Sequence, residues 1–211
     1  MIRVVIADDH DLIRNGFAGL VRAEEDIELV GEARTAEELL ELVPAARSDV
    51  VVLDIGLPDR NGLDLIPLIL ERDRSTRILV LSMHPEERYA CRAISAGAAG
   101  YLSKEAVAEE LVAAIRRVHR RGRYISPTLA EELAAEALEP DTAAPPHTTL
   151  SNREYQLLLY LGEGRSVKDA AREFRLSVNT IHSYRRRLLE KMQLQTNNEL
   201  IRYVLQHDLT E

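Results

Sequence analysis

Asp8, Asp9, His10 and Asp11 occupy consecutive positions, directly after an apolar run near the start of the chain. Carboxylates grouped in this way can bind a hard cation such as Mg2+ or act as nucleophiles in group transfer. A simpler interpretation is also open, because Asp9 or Asp11 could cap a helix that starts near Leu12. The choice between them depends on which other side chains the fold places beside these acids.

Other reactive side chains end or directly follow later apolar runs. They are Asp54, Ser82, Tyr101 and Lys104. A single aspartate at the end of a strand is usually only a turn residue. A carboxylate pair, a third carboxylate, a hydroxyl and an ammonium group at matching strand ends indicate one shared site instead.

The elements that would position these side chains lie in the first 121 residues, where short apolar runs alternate with segments of helical spacing. The predicted strands are residues 2–7, 27–33, 49–54, 77–82 and 100–102. Their apolar residues are continuous rather than alternating, which indicates strands buried on both faces. Five such βα repeats predict an α/β, doubly wound, five-stranded parallel sheet.

Ligands of an open parallel sheet bind beyond the carboxyl ends of the strands, near the point where the strand order reverses. In the flavodoxin-like order 2-1-3-4-5, strands one and three are neighbours. We therefore expect Asp8, Asp9 and Asp54 to converge beside Ser82 and Lys104. Carboxylates this close repel one another unless a cation offsets their charge, so the sequence predicts an Mg2+ site.

Composition limits the compartment and the chemistry. Cys91 is the only cysteine, which excludes an intramolecular disulfide and a cysteine-built metal site and fits a reducing compartment. The N-terminal apolar run is too short for a signal peptide, and no run approaches the ~20 apolar residues of a membrane helix. We expect a cytoplasmic protein that has no membrane partner.

The net charge of -8 is unevenly distributed along the chain. Residues 1–146 carry 17 Lys and Arg against 27 Asp and Glu, a net of -10, whereas residues 147–211 carry 10 against 8, a net of +2. This asymmetry indicates two domains with different partners. The predicted segments are a domain at 1–122, a helix and interdomain linker at 123–147, and a second domain at 148–211.

The linker prediction depends on two local patterns. Residues 126–138 have the pattern of a helix with Ser126 as its N-cap, and the stretch at 139–149 is rich in Pro and Thr. The second domain contains no convincing strand and is predicted to be a small all-α unit. Its first helix opens with a capping-box pattern, Ser151 to Glu154.

A short helix at 166–174, a connection of three residues and a longer basic helix at 178–193 match the helix-turn-helix pattern. At 100° per residue, one side of the longer helix is apolar and should face the core. Its residues are Val178, Ile181, Tyr184, Leu188 and Met192. The opposite side is polar and basic, as reading the DNA major groove requires. Its residues are Asn179, His182, Ser183, Arg186 and Arg187.

Motifs in both predicted domains carry a family resemblance. IADDHD, VVLDIGLPDRNGLDL, LVLSMH and AGAAGYLSK resemble, over residues 2–121, the receiver domain of two-component response regulators. Residues 148–209, with LSNRE, LSVNTI and ELIRYVL, resemble the LuxR-type helix-turn-helix of the NarL/FixJ class. The resemblance implies a phosphorylation-dependent, DNA-binding transcription regulator. It implies no enzyme activity beyond self-phosphotransfer and slow autodephosphorylation.

In the receiver, the resemblance implies that Asp54 is the phosphoacceptor, served by a sensor histidine kinase or a small donor such as acetyl phosphate. Asp8 and Asp9, together with Asp54 and the backbone carbonyl of Gly56, would hold Mg2+. Lys104 would offset the charge of the phosphoryl oxygens. Asp11 is then the expected helix cap, because it is left without a role at the metal.

Ser82 and Tyr101 correspond to the switch pair, in which the hydroxyl bonds the phosphoryl group and the aromatic ring turns inward. Gly56 and His84 occupy positions that vary widely in the family. Gly56 offers no side chain to position or block a hydrolytic water, whereas His84 could do either, so both would influence the lifetime of the phosphoryl group. Met83 is larger than the residue often found at its position and would narrow donor access. An ordinary loop role is equally open for Met83 and His84. His10 is expected to be a surface residue near the site that takes no part in it.

In the second domain, His182, Ser183 and Arg186 correspond to the base-facing positions of the family. The full set of expected DNA contacts is Lys168, Asn179, Thr180, His182, Ser183, Arg186 and Arg187. Arg185 is expected to pack by its stem and to reach a phosphate or an acid. One small domain on a half-site of double-stranded DNA binds weakly, so a homodimer is expected in the active state.

Two other classes of function fit parts of the pattern. A phosphatase with an aspartate nucleophile could use the acidic cluster, although such enzymes usually carry the nucleophile in the strand-one motif. A binding module could also regulate through partner contact alone, without phosphate. The presence of every residue that phosphorylation requires argues against the second.

Overall fold

The computed structural model describes residues 1–84, 86–104, 108–120, 122–127, 129–131, 134, 145–207 and 209. The chain folds as two compact units, Met1–Pro140 and Asp141–Glu211. The division falls inside the segment predicted as helix and linker. Residues 135–144, which include most of the Pro- and Thr-rich stretch, lie outside the described residues.

The first unit is built on a parallel sheet in the order β2-β1-β3-β4-β5. Its strands are β1 (Ile2–Ala7), β2 (Ile27–Ala33), β3 (Val50–Leu53), β4 (Arg77–Ser82) and β5 (Gly100–Ser103). All four residues of β3 are buried, as the continuous apolar run predicted. The predicted fold class and strand order are therefore confirmed, with ends that differ by one residue at β3 and β5.

Four helices join successive strands and a fifth follows the last strand. They are α1 (Asp11–Arg22), α2 (Ala36–Ala46), α3 (Ile66–Arg72), α4 (Glu86–Ser95) and α5 (Ala108–His119). The core packs the apolar faces of α1 and α5 against the central strands, with Phe17, Val21, Ile115 and Val118 each at most 3% exposed. Burial of such side chains is the main stabilising term of the unit.

Strand pairing fixes the positions of the reactive residues. Ala7 of β1 pairs with Leu53 of β3, so the next residues along each strand, Asp8 and Asp54, emerge side by side. The Asp54 backbone N–H donates to the Ala7 carbonyl at 2.9 Å. On the other side of the site, the Lys104 N–H donates to the Ser82 carbonyl at 2.7 Å, which ties the end of β5 to the end of β4.

Residues 122–126, which we call the Tyr124 segment, run beside β5 after α5 ends. The Tyr124 N–H donates to the Ala99 carbonyl at 3.0 Å, and the Tyr101 N–H donates to the Tyr124 carbonyl at 3.1 Å. Ser126 then caps the next helical turn, since its Oγ accepts from the Leu129 N–H at 3.0 Å. The predicted N-cap is confirmed, and residues 127, 129–131 and 134 are helical.

Helices are the regular elements of the second unit over the residues that the structure describes there. A 3-10 turn at Pro146–Thr149 precedes α6 (Asn152–Gly162), α7 (Val167–Glu173), α8 (Val178–Met192) and α9 (Asn197–Gln206). Both hydrogen bonds of the predicted capping box of Ser151 and Glu154 are present at α6. Arg175, with φ of 53°, makes the left-handed turn between α7 and α8.

Across the described residues, each helix is too short or too polar to span a bilayer.

Candidate functional site

The acidic residues after β1 and β3 form one cluster. One carboxylate oxygen each from Asp8, Asp9 and Asp54, together with a ring nitrogen of His10, lie within 4.8 Å of one another. Asp8 and Asp54 are buried, Asp9 is half-buried and His10 is exposed. The cluster therefore opens to solvent on the side of the β1–α1 loop.

Lys104 brings a positive charge into this cluster from the end of β5. Its Nζ lies 2.6 Å from Asp8 Oδ2 and 2.9 Å from Asp54 Oδ2, and its side chain is only 2% exposed. Three carboxylates against one ammonium leave two negative charges when the acids are ionised and His10 is neutral. A divalent cation with oxygen ligands fits both that charge and the spacing of the donors, so the residues present are suited to Mg2+.

The buried charges perturb one another. Burial raises the pKa of Asp54, and although Lys104 lowers it, the neighbouring Asp8 raises it further, so the net shift is upward. Burial lowers the pKa of Lys104, but the attraction of Asp54 and Asp8 outweighs burial and the pKa rises. The higher pKa keeps Lys104 charged, whereas the higher pKa of Asp54 makes ionisation of its carboxyl less favourable.

Two predictions for the acidic stretch were wrong in detail. Asp11 does not cap α1: it is the first residue of the helix, and its carboxylate pairs with Arg14 and Arg34. His10 is a surface residue, as predicted, but it takes part in the cluster, with Nδ1 3.0 Å from Asp8 Oδ1 and 2.8 Å from Asp9 Oδ1. The turn into the helix carries the ring back over the carboxylates, which a residue pattern does not reveal.

The β3–α3 loop contributes residues that sequence reasoning missed. Gly62 packs so closely on Asp54 that a Cβ there would lie 2.1 Å from the Asp54 carbonyl oxygen. Asp59 accepts from the Ala36 and Glu37 N–H groups at 2.8 and 3.2 Å, which joins the loop to the start of α2. The signal was present as the turn sequence PDRNG, whose Pro, Asp and Gly each favour a tight loop.

Gly56 lies in the same loop, two residues after Asp54. Its backbone hydrogen bond lowers the pKa of the Asp54 carboxyl, against the larger upward effect of burial. A Cβ at this position would lie 3.3 Å from Asp54 Oδ2. The glycine therefore leaves the face of the carboxylate open.

Ser82 and Tyr101 meet through the backbone of His84. The His84 N–H donates to Ser82 Oγ at 3.1 Å, and the Tyr101 hydroxyl donates to the His84 carbonyl at 2.9 Å. Both Ser82 and Tyr101 are buried, and the His84 ring stacks at 4.8 Å on that of Tyr89 in α4. Met83 is 63% exposed beside them. A change at the Ser82 hydroxyl can thus reach the aromatic ring through one residue.

The helix α8 presents two faces, as its pattern predicted. Ile181, Leu188 and Met192 are buried, and Tyr184 is half-buried. Val178 is the exception, at 39% exposed, because the first turn of the helix extends beyond the core. The opposite face and the scaffold helix α7 supply the exposed members of the predicted DNA contacts. They are Lys168, Asn179, His182, Ser183, Arg186 and Arg187.

Thr180, the remaining predicted DNA contact, is half-buried rather than exposed, and it takes part in the helix cap. Its N–H donates to Ser177 Oγ at 3.0 Å, and the two hydroxyls lie 2.7 Å apart.

The prediction for Arg185 was partly wrong. Its Nε donates at 2.7 Å to the side-chain oxygen of Asn197, which is an amide rather than an acid or a phosphate. This bond joins α8 to the start of α9.

A buried carboxylate anchors the basic end of α8. Glu154 of α6 is 3% exposed and accepts from Lys191 Nζ at 2.6 Å. Arg187 Nε lies 3.9 Å from the same carboxylate, and its guanidinium stacks 4.7 Å above the Tyr184 ring. Burial raises the pKa of Glu154, but the bonds from Lys191 and Ser151 together lower it by more.

Comparison with known families agrees with both units. Residues 4–116 match the family described as response regulator receiver domain, and residues 148–204 match the family of bacterial regulatory proteins, luxR family. The chain belongs to the NarL/FixJ family of response regulators. It is a phosphorylation-dependent transcription regulator with a receiver domain and a LuxR-type DNA-binding domain, and its family is one of DNA-binding regulators rather than typical enzymes.

Curated relatives match this response regulator along its length. The response regulator UvrY of Escherichia coli strain K12 is 34% identical over 209 residues, which cover 99% of this chain and 96% of that protein. The response regulator GacA of Pseudomonas aeruginosa PAO1 is 34% identical over 211 residues, which cover 100% and 99%. The shared length means that both domains, in the same order, are common to these proteins.

Solved structures support the fold of this regulator. A two-component response regulator of the LuxR family from Aurantimonas sp. SI85-9A1 is 35% identical, covers 65% of this chain and 98% of its own, and has a TM-score of 0.59. RcsB of Salmonella enterica serovar Typhimurium, bound to promoter rprA in the presence of the phosphomimetic BeF3-, covers 96% and 97% with a TM-score of 0.62. At 21% identity, the second likeness shows the fold alone.

Proposed function

We propose that Asp54 is the phosphoacceptor of this response regulator and that its donor is a sensor histidine kinase. The observation that carries the proposal is Lys104, whose buried ammonium group joins Asp54 to Asp8 at 2.9 and 2.6 Å. Asp54 is the acid that enters this cluster from β3, the strand between β1 and β4. Of the three acids, it alone follows a strand whose two neighbours, β1 and β4, lead to the acid pair and to Ser82.

In the proposed reaction, a carboxylate oxygen of Asp54 attacks the phosphorus of a phosphohistidine. The new P–O bond forms as the P–N bond breaks, and the released imidazole takes up a proton. Asp8, Asp9 and Asp54, with the backbone carbonyl of Gly56, would hold Mg2+, which offsets the charge of the transferring group. Slow hydrolysis of the resulting acyl phosphate is the only other reaction proposed.

Lys104 and Ser82 take complementary parts in the proposal. The ammonium group of Lys104 is already beside Asp54 Oδ2, so it offsets charge on the phosphoryl oxygens without a large rearrangement. The Ser82 hydroxyl donates its own proton to the phosphoryl group, and as it turns toward that group its oxygen moves away from the His84 N–H that it now accepts from. His84 is released from that bond and carries the change to the Tyr101 hydroxyl.

The Tyr124 segment provides a route by which this change can leave the receiver. It bonds to the backbone of Tyr101 on one side, while the Ser126 N–H donates to Glu86 of α4 at 3.1 Å and the Tyr124 hydroxyl donates to Glu110 of α5 at 2.9 Å. A shift of the β4–α4 loop or of Tyr101 therefore acts on the chain that continues toward the DNA-binding domain. We propose that phosphorylation controls DNA binding and homodimer formation through this segment.

On DNA, we propose that α8 enters the major groove of a half-site in the double helix. His182, Ser183 and Arg186 face the bases, and Lys168, Asn179, Thr180 and Arg187 contact or support contact with the backbone. Arg187 is shared, because it also stacks on Tyr184 and approaches Glu154. A homodimer that binds two half-sites would supply the affinity that one small domain lacks. Since its partner is chromosomal DNA, we place the protein in the cytoplasm.

Intact mass measurement with acetyl phosphate and Mg2+ tests the acceptor. The wild-type protein should gain one phosphoryl group, and Asp54→Ala should gain none. A gain that survives in Asp54→Ala would overturn the assignment of Asp54. Turnover of a generic phosphate ester that is lost in Asp8→Asn but kept in Asp54→Asn would favour a phosphatase instead.

DNA binding by the same proteins tests the regulatory part. Selection of DNA sequences with the phosphorylated form, followed by affinity measurement, should show tighter binding than with the unphosphorylated form. Unchanged binding in Asp54→Glu and Asp54→Ala would mean that the protein regulates without phosphate.

A further inference from the structure

Arg14 of α1 is a buried cation that none of the proposed reaction steps uses. Its side chain is 4% exposed, although it lies in a helix whose other charged residues face solvent or the ends of the helix. A guanidinium group is costly to bury unless its N–H groups are paired. The partners of Arg14 therefore indicate what it does.

Those partners belong to three segments around the acidic cluster. Nη1 donates to the backbone carbonyl of Asp8 at 2.6 Å, and Nη2 pairs with the carboxylate of Asp11. Nε lies 3.5 Å from the carboxylate of Glu32 near the end of β2. The guanidinium group thus joins the β1–α1 loop to the helix that follows it and to the neighbouring strand.

We infer that Arg14 is a positioning residue, which holds the β1–α1 loop so that Asp8 and Asp9 face the cation. The Asp8 N–H already donates to the Ala33 carbonyl at 3.1 Å, so Arg14 secures the other polar group of the same residue. With both fixed, the peptide between Asp8 and Asp9 has little freedom to rotate. The carboxylate of Asp9, whose side chain is 5% exposed against 2% for that of Asp8, then keeps its direction.

The side chain of Asp8 is held separately, by Lys104 and by the His10 N–H at 2.8 Å. This division separates the backbone support of Arg14 from the charge that Lys104 supplies. Groups that orient metal ligands without touching the metal typically change metal affinity ~10–100-fold when removed. The inference rests on the proposed function of the acidic cluster as an Mg2+ site.

Titration calorimetry of Mg2+ with the full-length protein tests the inference, using Arg14→Met, Arg14→Lys and the control Arg22→Met. Arg22 is an exposed arginine at the end of the same helix. Arg14→Met should weaken Mg2+ binding by about tenfold or more, because it keeps the apolar stem and loses every donor. Arg14→Lys should lose less, since it keeps the charge and one donor nitrogen, and Arg22→Met should bind like wild type.

Melting temperatures without Mg2+ separate positioning from a purely structural role. A structural role would lower the melting temperature of Arg14→Met and leave the Mg2+ affinity of the folded protein unchanged, and that result overturns the inference. If Arg14→Met does not fold, Arg14→Lys decides, and wild-type affinity in that variant overturns the inference as well. Asp9→Asn tests the underlying site: Mg2+ binding equal to wild type in Asp9→Asn would reject the proposed cation site itself.

Discussion

Ionisation of Asp54 costs free energy because its carboxyl is buried beside Asp8, and other groups of the site offset that cost. Burial and Asp8 raise its pKa above the ordinary value of 3.8, and Lys104 opposes them only in part. Since folding favours the neutral carboxyl, its contribution to stability is present below 3.8 and is lost as pH rises through the higher value in the folded state. At neutral pH, Asp54 therefore contributes unfavourably to the stability of the receiver in the absence of a cation.

Asp54→Asn should therefore stabilise the protein at pH 7 without Mg2+. We expect a rise in melting temperature of roughly 2–4 °C, the change that ~1 kcal/mol produces at this size. Lys104 keeps its bond to Asp8 in the variant, so it is not left unpaired. Adding Mg2+ should narrow the difference, because the cation stabilises wild type more. The exposed Glu25→Gln is the control, and a lower melting temperature for Asp54→Asn would contradict the account.

Gly62 tests the backbone support of the same aspartate. A Cβ at this position would lie 2.1 Å from the Asp54 carbonyl oxygen and 2.9 Å from Ile55 Cα, so Gly62→Ala forces the β3–α3 loop away. We expect a loss of roughly 3 kcal/mol in the free energy of unfolding, measured by urea denaturation, together with slower phosphorylation. Gly16→Ala is the matched control, because nothing lies within 4 Å of its Cβ and alanine favours the helix. Equal stability of the two variants would refute the close approach.

The sequence predicts a site residue when a regular element positions it, and fails to do so when a loop turn or a rotamer does. Asp8, Asp54 and Lys104 converge because parallel strands end at one edge of the sheet. The apolar pattern predicts a parallel sheet, and 2-1-3-4-5 is one of the two common strand orders of such sheets. The burial of Arg14 and the approach of His10 depend on how a loop turns and on side-chain rotamers. Neither leaves a periodic signal, since an arginine on a helix is normally solvated.

At the scale of elements, β5 connects the site with the chain beyond the receiver. One edge of β5 pairs with β4, and the other is partly covered by the Tyr124 segment through bonds at Ala99 and Tyr101. Gly100 permits this approach, because a Cβ there would lie 2.8 Å from the Tyr124 carbonyl oxygen. The strand was predictable from GYL, but its second neighbour was not, because one bridged residue has no sequence period.

Gly100→Ala should detach the Tyr124 segment while leaving phosphorylation intact. The added methyl group displaces Tyr124 and weakens the hydrogen bonds of the Tyr101 and Tyr124 N–H groups. Hydrogen exchange should show lost protection at these two amides, and the difference in DNA affinity between phosphorylated and unphosphorylated protein should shrink several-fold. Gly19→Ala, which meets nothing within 4 Å, controls for the added methyl. Faster hydrogen exchange at these amides, with an unchanged difference in DNA affinity between the phosphorylated and unphosphorylated forms, would exclude the Tyr124 segment as the route of the signal.

Helix α8 illustrates the same division between pattern and context. Its two faces follow from the period of the helix, and the structure places Ile181, Leu188 and Met192 inside. The exposure of Val178 and the bond from Arg185 to Asn197 depend on where the neighbouring helices end. A helical wheel drawn from the sequence contains no information about where the neighbouring helices end. Its wrong assignments therefore lie at the first turn and at the edge of the apolar face.

In the whole molecule, the net charge of one part of the chain favours DNA binding and that of the other part opposes it. Residues 1–146 carry a net of 17 - 27 = -10, whereas residues 147–211 carry 10 - 8 = +2. DNA therefore attracts one part of the chain and repels the other. Such forces act over a Debye length of ~10 Å at 0.1 M salt, so they weaken as salt is added.

We expect residues 147–211 alone to bind DNA about tenfold more tightly than the unphosphorylated full-length protein at low salt. The gap should narrow as salt rises, if repulsion by the receiver contributes to it. Phosphorylation then separates two mechanisms, because it adds negative charge to the receiver. Repulsion alone would make phosphorylated protein bind more weakly, whereas release or pairing of the DNA-binding domains makes it bind more tightly. Affinity measured across a salt series for the fragment and both full-length forms gives the sign. Equal affinities for the fragment and the unphosphorylated protein at every salt concentration would show that the receiver does not restrain DNA binding.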